Sequence, residues 1–381
     1  MNQSVPPIPV PDGPAPTVPM SFSGNRGAFL HLVTRGALLE FITVGFYRFW
    51  LITDIRRHLW SHTVVDGDSP EYVGRGRELL IGFLVAMAIL APVYLAYFLA
   101  GLEAERIQAF ASFPLFAFLY VFGQFAVYRA RRYRLSRTVW RGVRFWMSGS
   151  GWAYAFRAAL WSMLMLLTLG LVLPWRDAAL ERYKMQHSFY GDLQGSFEGS
   201  GWEFFKRGWW LWPLAFVSVI LLPLAPFVYA AFKALQWRWW LSGIRFGGVQ
   251  FESDLRGGIL AKLYWKVIAW ALLLVAALIA YLVIAAVLVG AMSGMTISEA
   301  YKSPAFLQSI PFGIATVLGY LATMLGFNVV FRLYLTRDFW AHVASSIRIR
   351  GLAATGNVAA RGDLAGALGE GFADGLDVGG F

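Results

Sequence analysis

Two histidines occur in the same polar pattern, and their side chains are the first candidates for chemistry. His62 follows Arg57 by five residues, and His187 follows Arg182 by the same interval. Because histidine changes charge near neutral pH, the pattern is compatible with a proton relay or a pH sensor. The alternative is that each histidine braces a loop through hydrogen bonds, and both interpretations stay open.

A glutamate stands sixteen residues after each histidine, at the end of a Gly-x-Gly-x-Glu segment. Glu78 closes the segment that begins at Gly74, and Glu203 closes the one that begins at Gly199. These segments lack the third glycine of a dinucleotide-binding fingerprint and do not match a P-loop. Glycines at such positions supply a tight turn before a helix, and a carboxylate in the first turn suits the helix dipole. We predict a polar cluster of the two arginines, the two histidines and the two glutamates.

Charged residues interrupt the first apolar segment, residues 22–52. Arg35, Glu40 and Arg48 lie within it, and Arg157 lies near the start of a later apolar segment. A charge at the centre of a bilayer costs about 2.5–3.5 kcal/mol on insertion scales. The structural interpretation is an ion pair of Glu40 with Arg35 or Arg48, or side chains that reach the headgroups. The functional alternative is a substrate or ion site.

The chain has no pattern typical of a catalytic, metal or cofactor site. It contains no cysteine, which excludes disulfides, thiolate metal ligands and thiol nucleophiles. His58 and His62 have the i, i+4 spacing that lets two helical histidines share a metal, but no acidic residue completes the set. The sequence shows neither a nucleophile with its base nor two carboxylates at a workable spacing. We predict no catalytic residues, no bound metal and no cofactor.

The elements that must position these side chains are predicted to be membrane helices. The chain has 381 residues, of which 58% are hydrophobic and 14% are charged, whereas about a quarter of a soluble domain is charged. Aromatic residues make up 17% of the chain, and tryptophan and tyrosine concentrate where a membrane meets water. The composition therefore indicates several passages through a membrane.

An internal repeat organises the chain. Residues 41–80 align without a gap with residues 166–205, at an offset of 125, and the aligned positions include both polar patterns. Such a repeat indicates that one unit was duplicated. The predicted segments are a disordered proline-rich tail (1–21), a first repeat unit (22–147), a second repeat unit (148–262), a closing transmembrane hairpin (263–335) and a cytoplasmic tail (336–381).

Apolar runs of helical length predict an all-α fold, a polytopic membrane bundle of about six or seven apolar helices. Two arrangements are open. In the first, all seven apolar segments span the membrane. In the second, residues 22–52 and 152–175 dip into the membrane and return, or lie in its interface, and the proline-broken residues 209–232 form a short hairpin. The second arrangement requires a polar interior, because irregular backbone at membrane depth needs protein or water around it.

Basic clusters predict which connections face the cytoplasm. Seven arginines occur between residues 129 and 144, and four more between residues 332 and 350 open the C-terminal tail. Cytoplasmic loops carry such an excess, and anionic headgroups attract it. We predict a cytoplasmic C-terminus and anionic phospholipid as the partner of the basic loops. Nucleic acid is not expected, since a nearby bilayer already accounts for the interleaved aromatic residues.

Several spaced motifs resemble those of a known family. They are Leu-Thr-Leu-Gly ending in Pro-Trp at 167–175, Gln-His-Ser-Phe-Tyr-Gly at 186–191, Phe-Glu-Gly-Ser-Gly at 197–201 and Trp-Arg-Gly-Val-Arg-Phe at 140–145. This set is similar to the signature of the YjgN family, bacterial multi-pass inner-membrane proteins built around a domain of unknown function. The resemblance runs from about Phe22 to the acidic C-terminal end. It implies a bacterial inner membrane and no established activity. The family's Asn-His-Thr triplet is Ser61-His62-Thr63 here, so the chain departs from it at the asparagine.

Three functions follow as hypotheses. The first is a transporter or permease for a small solute or a lipid, because duplicated halves with polar groups at broken helices build many transporters. The second is a non-catalytic membrane scaffold or envelope-organising protein that binds partners or anionic lipid through its basic loops. The third is a membrane enzyme that acts on lipid. The pattern indicates neither a substrate nor an oligomeric state.

Overall fold

The computed structural model describes residues 17–103, 112–296, 303, 306, 308–362 and 364–366. Residues 1–16 of the predicted proline-rich tail and residues 367–381 of the predicted cytoplasmic tail lie outside the described residues. The described residues form twelve α-helices: α1 (Arg26–Ile42), α2 (Arg48–Ser61), α3 (Gly76–Glu103), α4 (Ser112–Ser136), α5 (Gly151–Leu167), α6 (Leu173–Gln186), α7 (Gly201–Gly208), α8 (Leu211–Ile220), α9 (Ala225–Gly243), α10 (Gly257–Met292), α11 (Ile310–Phe331) and α12 (Phe339–Ser345).

Ten short strands alternate with these helices. They are β1 (Thr17–Phe22), β2 (Thr63–Val65), β3 (Glu71–Tyr72), β4 (Thr138–Trp140), β5 (Val143–Met147), β6 (Ser188–Tyr190), β7 (Leu193–Phe197), β8 (Ile244–Phe246), β9 (Val249–Ser253) and β10 (Ile347–Arg350). A π-helical segment, Arg332–Asp338, joins α11 to α12.

All ten strands form one antiparallel half-barrel sheet in the order β2-β1-β10-β9-β8-β7-β6-β5-β4-β3. Strands that are joined through helices pair directly in the sheet: β1 with β2, β3 with β4, β5 with β6, β7 with β8, and β9 with β10. The described chain is therefore five strand–helices–strand units side by side. β1 also pairs with β10, which joins the first unit to the last.

Tight turns connect several units that follow one another along the chain, at the end of the strands away from the helices. Asp66 and Gly67 turn the chain between β2 and β3, and Arg141 and Gly142 turn it between β4 and β5. All four residues have φ between +49° and +81°. Two consecutive residues with positive φ match the twist of antiparallel strands, which is why glycine follows Asp66 and Arg141.

The concave face of the sheet holds a hydrophobic core. Along β10, Ile347 and Ile349 are buried and the arginines between and after them are exposed, as expected when alternate side chains point to opposite faces. Trp140, Tyr190 and Val249 from three other strands belong to the same buried cluster. The sheet therefore encloses side chains contributed by most of its length.

The C-terminal segment, residues 351–366, crosses this sheet. Its Val358 packs against the core cluster. The backbone N–H of Ala359 donates to the carboxylate of Asp192 over 3.0 Å, and the N–H of Asp192 donates to the carbonyl of Ala359 over 3.1 Å. Further along, the Arg137 guanidinium donates to the carbonyl of Ala365 over 3.2 Å. The segment thus ties separate units together.

The chain reverses direction inside three apolar segments, between α1 and α2, α5 and α6, and α8 and α9. Val44 (φ +52°) and Gly45 (φ +88°) turn the first segment, and Leu169 (φ +49°) and Gly170 (φ +85°) turn the second. The two helices of each pair pack against each other. α1 and α5 each have 17 residues, and α2 and α6 each have 14, so the bounds of these helices keep the offset of the aligned sequences.

The all-α prediction is wrong, because the ten-stranded sheet accompanies the helices. Its strands are two to six residues long, and alternation over so few residues is too short to be told from an apolar helix end. Residues 129–144, predicted as a basic loop, form the end of α4 and the β4–β5 hairpin.

The predicted number of membrane helices is also corrected. Three helical stretches of the described chain are long and apolar enough to cross a membrane, Gly76–Phe98, Gly257–Met292 and Ile310–Ser345. Residues 22–52, 152–175 and 209–232 are divided by the reversals described above, and α1, α5 and α8 are each shorter than the roughly 20 residues that a span needs.

Candidate functional site

A polar groove lies between α1 and α2 and reaches β3. It has a volume of about 790 Å³ and is open to solvent. Six of its lining residues can carry charge and come from the two helices: His31, Arg35, Asp54, Arg57, His58 and His62. Glu71 of β3 lines its far end. In the described part of the chain this groove brings together the largest group of the predicted functional residues.

Helical spacing places these side chains in one groove. His31 and Arg35 are four residues apart on α1, and Asp54, Arg57 and His58 are three and four residues apart on α2, so each set shares one face. The helices approach closely at Gly36, where an added Cβ would lie 2.2 Å from a Leu51 methyl. A glycine at this point therefore lets the two polar faces meet.

Arg57 is half exposed although both terminal nitrogens of its guanidinium have partners. Its guanidinium donates to the Gly74 carbonyl over 2.8 Å and to the Asp54 carboxylate over 3.4 Å, while about half of the side chain remains exposed. Burial raises the pKa of Asp54, and the positive charges of Arg57 and Arg35 partly oppose the shift.

The rings of His58 and His62 are in contact, with centroids 4.3 Å apart and planes tilted by 32°. The Nδ1 of His62 lies 2.7 Å from the His58 carbonyl. A carbonyl can only accept, so this nitrogen carries a proton and donates. Burial, with His62 and Arg337 nearby, lowers the pKa of His58 to about 4, so His58 is neutral at physiological pH. The Nε2 of His58 is buried without a hydrogen-bond partner among the described residues.

His187 has the same local geometry as His62. It ends α6, its Nδ1 donates to the Tyr183 carbonyl over 2.7 Å, and its ring lies 4.4 Å from the Tyr183 ring. It lines a separate hollow of about 480 Å³. Arg182 is exposed on α6 and is not among the residues that line either cavity. Both histidines therefore lie at the end of a helix, and of the two only His62 has an arginine beside it in a groove.

The two glutamates lie in the first turns of α3 and α7. Glu78 accepts hydrogen bonds from the Tyr133 hydroxyl over 2.8 Å and from Arg137 Nε over 2.9 Å. Because Arg137 is buried, this pair holds α3 to the end of α4. Glu203 is exposed on α7. The structure thus places Glu78 in a packing contact and Glu203 at the surface, away from the groove residues.

The three predicted intramembrane charges have different surroundings. Arg35 lines the groove. Glu40 pairs with Arg332 across 2.9 Å, a partner 292 residues away that sequence reasoning did not name. The Arg157 guanidinium lies over the Tyr183 ring, 4.4 Å from its centroid. Of the three, only Arg35 lies where a ligand in the groove would meet it.

Comparison with known proteins places the chain in a family. The family model described as "Bacterial protein of unknown function (DUF898)" matches residues 17–234, more than half of the chain. The chain belongs to this family. The "Inner membrane protein YjgN" of Salmonella typhimurium (strain LT2) is 25% identical over 151 residues. The predicted resemblance to the YjgN family is confirmed.

The alignment with YjgN covers 40% of this chain and 35% of the relative, so the chain matches about a third of that protein's length. No solved structure matches the chain. The relative is named an inner membrane protein, and three helical stretches of the described chain are long and apolar enough to cross a membrane. This DUF898 protein is therefore a membrane protein.

This DUF898 member also contains a buried ionic network that sequence reasoning missed. Glu181 of α6 pairs with Arg131 of α4 over 3.4 Å and with Lys184 one turn away. Asp177 accepts a hydrogen bond from Gln236 of α9 over 3.0 Å. Burial raises the pKa of Glu181, and the two cations outweigh it, so the pKa lies below its usual value. Glu181 and Lys184 lie between the predicted apolar segments 152–175 and 209–232, where no helix was predicted, so their i, i+3 pairing was not sought.

No metal site accompanies these clusters. Among the described residues, no three histidine, aspartate or glutamate side chains are grouped so that they could hold a metal ion. The spacing of His58 and His62 would suit a shared metal, but no third ligand is grouped with them among the described residues. The groove is thus better suited to binding an anion through its arginines than to holding a metal.

Proposed function

We propose that this protein binds the headgroup of an anionic phospholipid in the α1–α2 groove and acts as a non-catalytic membrane scaffold. The observation that carries the proposal is the pair of exposed arginines, Arg35 and Arg57, on opposite walls of one groove. Guanidinium groups bind phosphate oxygens through paired hydrogen bonds, which favours a phosphate-bearing ligand.

The charges around the groove support an anion as its ligand. Asp54 contacts only one edge of the Arg57 guanidinium, and about half of the Arg57 side chain remains exposed to an incoming anion. The volume of about 790 Å³ falls within the roughly 300–1,000 Å³ of small-molecule sites.

The height of the groove supports a headgroup in particular. Glu40 of α1 meets Arg332 at the residue where the apolar helix α11 ends. Arg35 lies five residues earlier on α1, which is about 7 Å along a helix that rises 1.5 Å per residue. The polar headgroup layers together add roughly 10–15 Å to the hydrocarbon core, so Arg35 lies at a depth that suits a headgroup.

The inner membrane and a cytoplasmic sheet are part of this proposal. The relative is named an inner membrane protein. The arginines between residues 129 and 144 lie at the sheet end of α4 and in β4 and β5, and an excess of arginine is typical of the cytoplasmic side. Because β10 pairs with β1 and β9, a cytoplasmic sheet would place the C-terminal segment in the cytoplasm as well.

Duplication of a unit remains part of the proposal too. The matched helix lengths and the matched His62 and His187 geometry support an ancestral unit of strand, helices and strand. The predicted division at residues 147 and 262 stays a prediction, as does the separate closing hairpin. The sheet favours a division of the chain into five shorter strand–helices–strand units.

Transport also stays a prediction. A path for a solute requires helices packed around it, but only 11–17% of the residues in the three apolar windows are buried within the described chain. Helices exposed to this extent do not enclose a path in one copy. Binding at the groove is therefore the function that we place first.

The test is retention of lipid by the purified full chain. Native mass spectrometry would compare phosphatidylglycerol with phosphatidylcholine for wild type and for Arg35→Gln/Arg57→Gln. The matched control is Arg348→Gln/Arg350→Gln, which removes the same charge from two exposed arginines of β10. We expect the groove variant to lose the preference for phosphatidylglycerol and the control to keep it. Equal retention in both variants would contradict the proposal.

A further inference from the structure

Three helical hairpins end in apolar tips that no part of the described chain covers. The tips follow α1, α5 and α8, where each helix ends and the chain turns back. Their residues are between 70% and 87% exposed: Ile42, Val44, Leu167, Leu169, Ile220 and Leu222. Single exposed apolar residues are ordinary, but three clusters at equivalent places indicate a shared contact surface.

At two of the tips, the exposed apolar residue also has an unfavourable backbone conformation. Val44 and Leu169 have φ of +52° and +49°, in the left-handed region. Glycine or asparagine adopts that region readily, whereas a β-branched valine there is strained. Within the described chain neither side chain gains packing that would offset the strain. An apolar side chain retained in this position is expected to be buried by something outside the chain.

The level of the first tip points to lipid. Glu40 pairs with Arg332, the first residue after the apolar helix α11, and α1 ends two residues later at Ile42. Because the start of α1 pairs with Asp338 and its end with Arg332, the tip lies level with the last turn of α11, roughly 5 Å from the end of that helix. Residues at that height beside a spanning helix meet the boundary between headgroups and acyl chains.

A tryptophan lies between the tip and the sheet in two of the hairpins, at matching positions. Trp50 follows Gly45 by five residues, and Trp175 follows Gly170 by the same interval. About five residues of helix place each indole roughly 7 Å below its tip, at the depth where tryptophan concentrates in membranes. This position is independent of the exposure of the tips themselves.

We propose that the three hairpin tips insert shallowly into the leaflet nearest the sheet, beside the spanning helices, and hold the half-barrel against the membrane surface. The occupant of the tips is lipid acyl chain, because the tips continue the apolar surface of α3, α10 and α11. This inference does not depend on headgroup binding in the groove. It explains why charged segments alternate with exposed apolar turns in three of the five units.

The absence of cysteine permits a direct test. Ile42→Cys, Leu167→Cys and Ile220→Cys would each carry one environment-sensitive fluorophore in the full chain reconstituted in phosphatidylethanolamine–phosphatidylglycerol vesicles. These residues end α1, α5 and α8, so none has positive φ, and substitution adds no backbone strain. The control is Gln250→Cys on β9, an exposed position on the sheet.

We expect labels at the three tips to emit at shorter wavelength than the control, to be quenched by lipids spin-labelled near the headgroup, and to resist aqueous iodide. Iodide quenching equal to that of Gln250→Cys would overturn the proposal. Protection from both iodide and spin-labelled lipid would also overturn it, since protein, either a second copy or another chain, would then cover the tips. Circular dichroism and the elution volume in detergent confirm that each labelled variant is folded.

Discussion

Replacing Glu40 by glutamine should destabilise the protein more than the loss of an exposed ion pair would. Glu40 and Arg332 lie 2.9 Å apart, and their side chains are only 21% and 18% exposed. Removing one partner of a fully buried pair costs about 3–5 kcal/mol, whereas an exposed pair contributes about 0–1 kcal/mol. For a pair that is about four-fifths buried we expect a loss of about 2–3 kcal/mol.

The reason for the loss is the arginine that remains. Arg332 Nη1 is already buried without a partner among the described residues, and Glu40→Gln would leave the rest of the guanidinium without its counter-charge. The double variant Glu40→Gln/Arg332→Met removes that charge as well. It should therefore be more stable than the sum of the two single changes implies, because the two residues are coupled.

The assay is thermal unfolding of the detergent-solubilised chain at a fixed scan rate. Its matched control is Glu252→Gln, which breaks an exposed pair with Arg350 at 3.1 Å and should shift the midpoint little. If Glu40→Gln and Glu252→Gln give the same shift, or the double variant shows simple additivity, then the Glu40–Arg332 contact is not the buried pair that the structure describes.

Three further predictions concern backbone, protonation and a turn. Gly149→Ala should strongly destabilise the fold in the same thermal assay, because φ is +82° and the added Cβ would lie 2.5 Å from the His187 ring; a wild-type midpoint would contradict the packing. The pKa of His58 is lowered to about 4 in the folded chain, against 6.5 without burial, so the unfolded state binds more protons and stability should fall as pH drops from about 6.5 to 4. His58→Phe should flatten that fall; we expect an effect of about 1 kcal/mol, since partial exposure screens the charge. Arg141→Ala should change stability by less than about 1 kcal/mol, because its ion pair with Asp68 is exposed; a larger loss would indicate that the turn is not solvated.

Sequence patterns were sufficient for the membrane character and the family of the chain. Long apolar runs and abundant aromatic residues predict membrane helices without any tertiary information, and three of those helices are present. The spaced motifs around His187 identified the family, which the family model confirms. Both inferences rest on local composition and spacing, which a single sequence contains.

The sheet could not be predicted from the same patterns. A strand such as Glu71–Tyr72 has two residues and gains its hydrogen bonds from Thr138 and Val139, which lie beyond two long helices. Aromatic residues of β5, such as Trp146, were interpreted as part of a membrane boundary. The alternation of β4 and β5 was too short to outweigh the apolar helices beside it.

Only part of the candidate site could be predicted from the sequence. Arg57 and His62 share the groove because both lie on α2 or at its end, a local relation that helical spacing predicts. The partners of Glu40 and Glu78 could not be predicted, because Arg332 lies in another unit of the fold and Arg137 lies at the far end of the second helix of the Glu78 unit. Charge pairs across units depend on the order of strands in the sheet, and no pattern of spacing contains that order.

The most direct test of headgroup binding is a titration that reports from inside the groove. Val73→Cys lines the groove without taking part in its side-chain hydrogen bonds, and the chain has no other cysteine to label. A fluorophore at this position should respond saturably to short-chain phosphatidylglycerol below its micelle concentration and not to the matching phosphatidylcholine. The response should disappear when Arg35→Gln/Arg57→Gln is added. Equal responses to both lipids, or a response that survives the loss of both arginines, would contradict binding in the groove.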